Sequence, residues 1–198
     1  PDTVQALDVD ALLAQAIASD AVVVMACAVG DTLVEGTAMV RVYAARPIGE
    51  APLKAAFALG TERTFEQDPK YAIRLLVDIA IRALSPAVND PTTAVHALDQ
   101  IEDRLLRLGR RRLDIGQIRD GSGASRVVVP MATWDDFLAL AFDEIRYCGA
   151  TSVQVMRRMN ALIKGLRAAL PPGRHAALRH WEERLEDTVE RTFKDAEE

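Results

Sequence analysis

The sequence predicts an α+β chain that is mainly helical: a small N-terminal β-rich unit, then a body of five or six helices interrupted by one β-hairpin. Three observations predict it. Residues 3–44 hold short, valine-rich runs separated by glycine-containing turns, the mark of strands. From Glu50 onward apolar residues recur every three or four positions, the mark of helices with one buried face. Between Leu113 and Pro130 that period gives way to alternation around Asp120-Gly121-Ser122-Gly123, which reads as a hairpin. The expected division is therefore 1–46 as a small α/β unit and 47–198 as a helical body, with the hairpin at about 113–130 inside it.

Composition sets the outer bounds. A chain of 198 residues can bury a sizeable core, and 49% hydrophobic with 27% charged residues is a globular balance. The net charge of -5 gives no electrostatic footing for nucleic acid, which calls for a basic surface. Cys27 and Cys148 both sit in apolar runs and read as buried thiols. The chain opens on Pro1 without a signal peptide, and no apolar run approaches the roughly 18 residues that span a bilayer. The expectation is a soluble piece of something longer.

Taken in order, Thr3–Leu7 is a short strand, and Asp8 or Asp10 caps a helix running to Ala18. Ala21–Ala28 is a buried strand, Val29-Gly30-Asp31 turns the chain, and Thr32–Val34 continues it. Glu35-Gly36 turns it again before a strand at Ala38–Ala44. The string VGDTLVEGTAMVRV looks like the GD-x-V-x-x-G-x-x-L turn pattern of biotinyl/lipoyl-like modules. The acceptor lysine of those carriers is absent, so carrier function does not follow.

The helical part begins at Glu50, with Leu53, Ala56, Phe57 and Leu59 expected inside and Gly60 as a C-terminal stop. A helix from Pro69 to about Leu84 would bury Ile73, Leu76, Ile79, Ala80 and Ala83. The next, from Pro91 to about Leu108, carries a seam at Ala94, Leu98, Ile101, Leu105 and Leu108. Thr133 starts a helix with Asp136 as capping-box partner and an inner face that includes Ile145 and Cys148. A further helix spans about Thr151–Leu170 until Pro171-Pro172-Gly173 stops it. The last carries Leu178, Trp181, Leu185, Val189 and Phe193 on one side.

Residues 63–94 are unusually rich in polar side chains. Asp68-Pro69 and Asp90-Pro91 each read as an N-cap followed by proline in the first turn. Asp68, Asp78 and Asp90 do not make a shared metal site, because the two caps stand at opposite ends of a helix about 20 Å long. Arg74, Asp78 and Arg82, four apart, read as an ion ladder. Arg63, Gln67, Arg82, Ser85, Asn89 and Asp90 hold more hydrogen-bonding capacity than two caps need. They either tie loops together or line a ligand site. Arg104, Arg107, Arg110, Arg111 and Arg112 gather at a helix end, where cations oppose the dipole; alternatively they meet anionic lipid headgroups. His96, His175 and His180 are isolated, and there is no P-loop, G-x-S-x-G, H-E-x-x-H or C-x-x-C. The sequence nominates no catalytic residue, metal ligand or cofactor.

The strings Arg63-Thr64, Gln67-Asp68, Leu76-Val77-Asp78-Ile79-Ala80, Arg82-Ala83-Leu84-Ser85-Pro86, Asn89-Asp90-Pro91 and Thr93-Ala94 resemble the signature of a family of predicted bacterial membrane proteins of unknown function. Asp2-Thr3 departs from the Ser-Gly-Tyr that often precedes Val-Gln in that family. The resemblance implies a C-terminal soluble domain whose partner is its own N-terminal transmembrane region, in the bacterial inner membrane and on its cytoplasmic side. The expected function is assembly or regulation, with transport as the process in view, by a homo-oligomer. A small-molecule-binding or metal-dependent enzyme domain using Arg63–Asp90 is the alternative.

Overall fold

The computed structural model describes residues 1–46 and 48–194. It is α+β and mainly helical, and the chain resolves into two compact units. One unit joins Pro1–Tyr71 with Asp114–Met131; the other joins Ala72–Leu113 with the chain from Ala132 onward. The hairpin thus groups with the N-terminal strands, and the expected division at residue 46 is not where the units part.

The first unit carries β1 (Asp2–Leu7), α1 (Val9–Ala18), β2 (Ala21–Met25), β3 (Thr32–Leu33), β4 (Val40–Ala44), α2 (Glu50–Ala55), β5 (Phe57–Gly60), β6 (Gln117–Arg119) and β7 (Ser125–Val128). They form a three-stranded sheet in the order β3-β1-β5 and a four-stranded sheet in the order β4-β2-β7-β6. All pairings are antiparallel except β2 with β7, where Val23 faces Val127 and Val24 faces Val128 in parallel. Alternation of buried and half-buried positions along Ala21–Met25 turns Val23 and Met25 into a core shared with Val4, Leu12 and Val127. Asp8 caps α1, its Oδ1 accepting from the Ala11 amide at 2.9 Å. Arg126 links the hairpin to the start of β2: its Nε donates to Asp120 at 2.7 Å and its Nη1 to Asp20 at 2.8 Å.

One element differs from expectation. Phe57–Gly60 is a strand, not the end of a helix, and Leu59 is exposed. Four residues of weak helical pattern lose to an open edge: β1 offers unpaired peptide groups, and β5 satisfies them from Thr3 to Leu7.

The second unit is helical. It contains most of α3 (Pro69–Ala83), then α4 (Pro91–Gly109), α5 (Trp134–Cys148), α6 (Val153–Ala169) and α7 (His175–Lys194), with a 3-10 turn at Pro172–Arg174. Their core is continuous from Ile73 and Val77 through Leu98, Ile101, Phe137, Phe142, Leu162 and Leu178. The Thr133–Asp136 capping box forms as expected. On α3, however, Val77 is buried and Ile79 is half exposed. Leu75, Leu76, Val77, Ile79 and Ile81 surround that helix with apolar groups, so period alone leaves its inner face ambiguous. Cys27 is buried as expected, and burial together with the nearby Asp31 charge pushes its thiol pKa up. Cys148 is exposed: it stands at the last position of α5, past the buried Ile145.

Candidate functional site

The six residues singled out between Arg63 and Asp90 fall into two groups with different behaviour. Arg63 and Gln67 belong to the first unit, Arg82, Ser85, Asn89 and Asp90 to the second.

In the first group polar atoms are consumed internally. Asp68 is almost wholly buried; its Oδ1 accepts from the Tyr71 amide at 3.0 Å, the expected N-cap contact. Its Oδ2 takes both Arg63 Nε at 2.7 Å and Arg63 Nη2 at 2.5 Å. The same guanidinium lies over the Tyr71 ring, which stacks on Phe65. Gln67 imitates a strand neighbour: its Oε1 accepts from the Leu7 amide at 3.0 Å and its Nε2 donates to the Leu7 carbonyl at 3.2 Å. Thr64 Oγ1 donates to the Gln5 carbonyl, and Gln5 Nε2 donates to the Glu62 carbonyl. Gly30, at φ +92°, leaves room for the Arg63–Asp68 pair; a Cβ there would overlap the Asp68 carboxylate. This group is a clasp holding the 62–68 loop to β1 and the Gly30 turn.

In the second group the backbone satisfies itself and side chains are left over. After α3, the Ser85 amide and Ser85 Oγ both donate to the Arg82 carbonyl, at 3.2 and 2.8 Å. The Asn89 amide donates to the Ser85 carbonyl at 2.9 Å, and the Asp90 amide to the Ala83 carbonyl at 2.8 Å. Asn89 sits at φ +47°, in the left-handed region that asparagine tolerates better than most residues. Asp90 caps α4, accepting from the Thr93 amide at 3.1 Å and from Thr93 Oγ1 at 2.6 Å. The Thr93 hydroxyl, with the backbone amide, holds the Asp90 carboxyl below the usual carboxylate range.

Around this turn lies an open cleft of about 860 Å³. Arg82, Ser85 and Asn89 line it from the end of α3 and the α3–α4 turn, and Tyr147, Cys148 and Thr151 from the end of α5 and the turn into α6. Ile81, Leu84 and Pro86 supply its apolar surface. Gly149 lets the chain pass from α5 into α6 without a clash. A Cβ there would stand 2.7 Å from Val155 Cγ1 and 2.9 Å from the Ile145 carbonyl oxygen, with Leu84 Cδ1 at 3.4 Å. Asp90 does not line the cleft. Tyr147, Cys148 and Thr151 escape sequence reasoning because only tertiary packing carries them to the α3–α4 turn.

The charges along α3 pair unevenly. The expected ladder of Arg74, Asp78 and Arg82 forms only in its first half. Arg74 binds both Asp78 and Glu144 of α5, and these two carboxylates, Glu144 above all, hold its guanidinium more firmly protonated. The Arg82 side chain has no partner among the described residues.

The arginines at the end of α4 also divide. Arg104 and Arg107 both bond Asp103, at 2.6 and 3.0 Å. The terminal carbonyls are taken by Arg174, whose Nε donates to Gly109 and Nη2 to Arg111. Arg107, Arg110, Arg111 and Arg112 are exposed. Among the described residues no three His, Cys, Asp or Glu side chains converge as a metal-ligand set, and no helix is long and apolar enough to cross a membrane.

Comparison with known proteins places this geometry in a family context. Residues 3–165 match the family model described as "Predicted membrane protein (DUF2254)". Over 121 residues the chain is 31% identical to uncharacterized proteins of Mycobacterium bovis and of two strains of Mycobacterium tuberculosis. That match covers 61% of this chain and 23% of each relative, so the chain spans under a quarter of the proteins it resembles. No solved structure matches.

Proposed function

The chain belongs to the DUF2254 family of predicted membrane proteins, and from that premise we propose that it is an extramembrane part of a larger bacterial membrane protein, serving assembly or regulation. The observation that carries this reading is a pairing. The family match spans residues 3–165, while no described helix has the length and apolarity to span a bilayer. The mycobacterial relatives are more than four times longer than the matched stretch, which leaves ample chain for membrane-spanning segments. The cytoplasmic face of the inner membrane, self-association, and a link to transport belong to the same proposal. The arginines at the end of α4, Arg104, Arg107, Arg110, Arg111 and Arg112, suit a surface set against anionic headgroups, where a basic residue near the surface contributes about 1 kcal/mol.

Two measurements test this. Residues 1–198 expressed alone should stay in the supernatant after high-speed centrifugation without detergent; resistance to alkaline extraction from membranes would overturn the extramembrane reading. In the full-length protein, a fluorescent reporter fused after Glu198 should light up and an alkaline-phosphatase fusion should stay inactive. The reverse pattern would put the domain outside the cytoplasm. For the headgroup contact, co-sedimentation with vesicles should rise with anionic lipid content and fall with salt. Equal binding to neutral vesicles would remove that part of the proposal.

A further inference from the structure

We propose that the cleft formed by the α3–α4 turn and the α5–α6 turn binds a small carboxylate whose remainder is apolar. Such binding would stand whether or not the chain serves a membrane protein. It begins from the uneven pairing along α3. Two arginines flank Asp78 at four-residue spacing, yet Arg74 holds both Asp78 and Glu144 while Arg82 has no partner among the described residues. One exposed arginine without a partner is ordinary. Here it lies in a concavity of about 860 Å³, within the usual range for small-molecule sites.

Other groups in that concavity are also uncommitted. The Asn89 carboxamide, the Thr151 hydroxyl and the Tyr147 phenol make no side-chain hydrogen bond among the described residues. The backbone amides of Val88, Asn89 and Asp90 are meanwhile engaged in closing the turn. Asn89 therefore contributes a conformation through its main chain and leaves its side chain available. Among the described residues Arg82 is the one cation lining the cleft, and Arg74 engages the Asp78 carboxylate there through Oδ1, so the uncommitted guanidinium favours an anion.

Charge and shape choose among anions. A guanidinium presents two parallel N–H groups that match the two oxygens of a carboxylate. With one uncommitted cation and the Asp78 carboxylate at the same cleft, a monoanion fits better than a doubly charged phosphate. Ile81, Leu84 and Pro86 give the rest of the ligand an apolar wall.

Benzoate is a suitable probe, with neutral benzamide as its isosteric control and inorganic phosphate as the competing anion. In ¹H–¹⁵N spectra of the chain, benzoate should shift the Arg82 Nε–H and the Ser85, Asn89 and Thr151 amides saturably. Benzamide and phosphate should not. Arg82→Gln should weaken benzoate at least about tenfold, since it removes a charge-assisted pair of hydrogen bonds. Arg82→Lys should fall between, with an unchanged fold shown by its amide spectrum. Alkylation of Cys148 by iodoacetamide should slow in saturating benzoate. Equal shifts by benzamide, tighter binding of phosphate than of benzoate, no saturable shift, or Arg82→Gln binding as wild type would each overturn the proposal.

Discussion

The clasp at Arg63–Asp68 and the turn at Arg82–Asn89 look alike in sequence and do opposite things in space. Each has an arginine, an amide side chain and an Asp-Pro helix start. In the clasp, one guanidinium, one carboxylate and one carboxamide use their polar groups on the protein itself. In the turn, backbone amides do the structural work, and the Arg82 and Asn89 side chains remain uncommitted beside a cleft. A dense polar string is therefore no evidence for a site until its partners are counted. What separates structure from potential recognition is whether hydrogen-bonding capacity is already satisfied.

The clasp should be the most sensitive place in this comparison. Asp68→Ala removes a cap, worth about 1 kcal/mol, and orphans a half-buried guanidinium at a further cost of about 1–3 kcal/mol. We expect a loss of roughly 2–4 kcal/mol in denaturant unfolding of the isolated chain. Gly30→Ala should approach it, because the new methyl would displace the same carboxylate and force an unfavourable backbone angle. A Asp68→Ala variant as stable as wild type would mean that the clasp is decoration and the contrast empty.

Gln67→Ala comes next. It strips the Leu7 peptide of a donor and an acceptor in one step, at about 1–3 kcal/mol if water cannot replace them. Gln67→Glu sharpens the test, since a carboxylate keeps the acceptor for the Leu7 amide and loses the donor. Protection of the Leu7 amide against hydrogen exchange should fall strongly in the alanine variant and only partly in the glutamate one. Equal protection in all three would show that β5 alone holds that edge.

These contrasts mark how far the sequence could be read. Caps at Asp8, Asp68, Asp90 and Thr133 were legible because each is a local contact between a side chain and an amide three residues on. The hairpin around Asp120–Gly123 was legible for the same reason. Its parallel pairing with β2 was not, since β2 and β7 lie about a hundred residues apart in the chain and nothing local encodes the match. Phe57–Gly60 became a strand through an edge that only the folded chain presents. Cys148 continues the apolar stripe of α5 one turn past Ile145, but the helix ends there and Gly149 caps it, so the thiol is exposed. For the candidate site, Arg82, Ser85 and Asn89 were legible as polar excess. Their separation from Arg63 and Gln67, and the arrival of Tyr147 and Thr151, were not.

Asn89 tests the turn through its backbone. At φ +47°, alanine should cost about 1–2 kcal/mol, whereas glycine should be near neutral or slightly stabilising. If Asn89→Gly were instead as damaging as Asn89→Ala, the side chain would be holding the turn, and its availability at the cleft would be lost.

The smallest expected effect is the most informative about the second region. Arg82 is exposed, has no partner among the described residues, and lies four residues from an Asp78 already held by Arg74. Arg82→Gln should therefore change stability by no more than about 0.5 kcal/mol, the usual range for a surface change that breaks nothing. Arg74→Gln, by contrast, severs links to both Asp78 and Glu144 and should be measurably worse, though each exposed pair contributes under about 1 kcal/mol. The double variant decides how the two arginines relate. If Arg82 is a bystander to the fold, the two effects add; if Arg82 takes over Asp78 once Arg74 is gone, the double variant loses more than the sum. That excess would show Arg82 to be a spare partner for the helix, and the cation at the cleft would then have a structural use of its own.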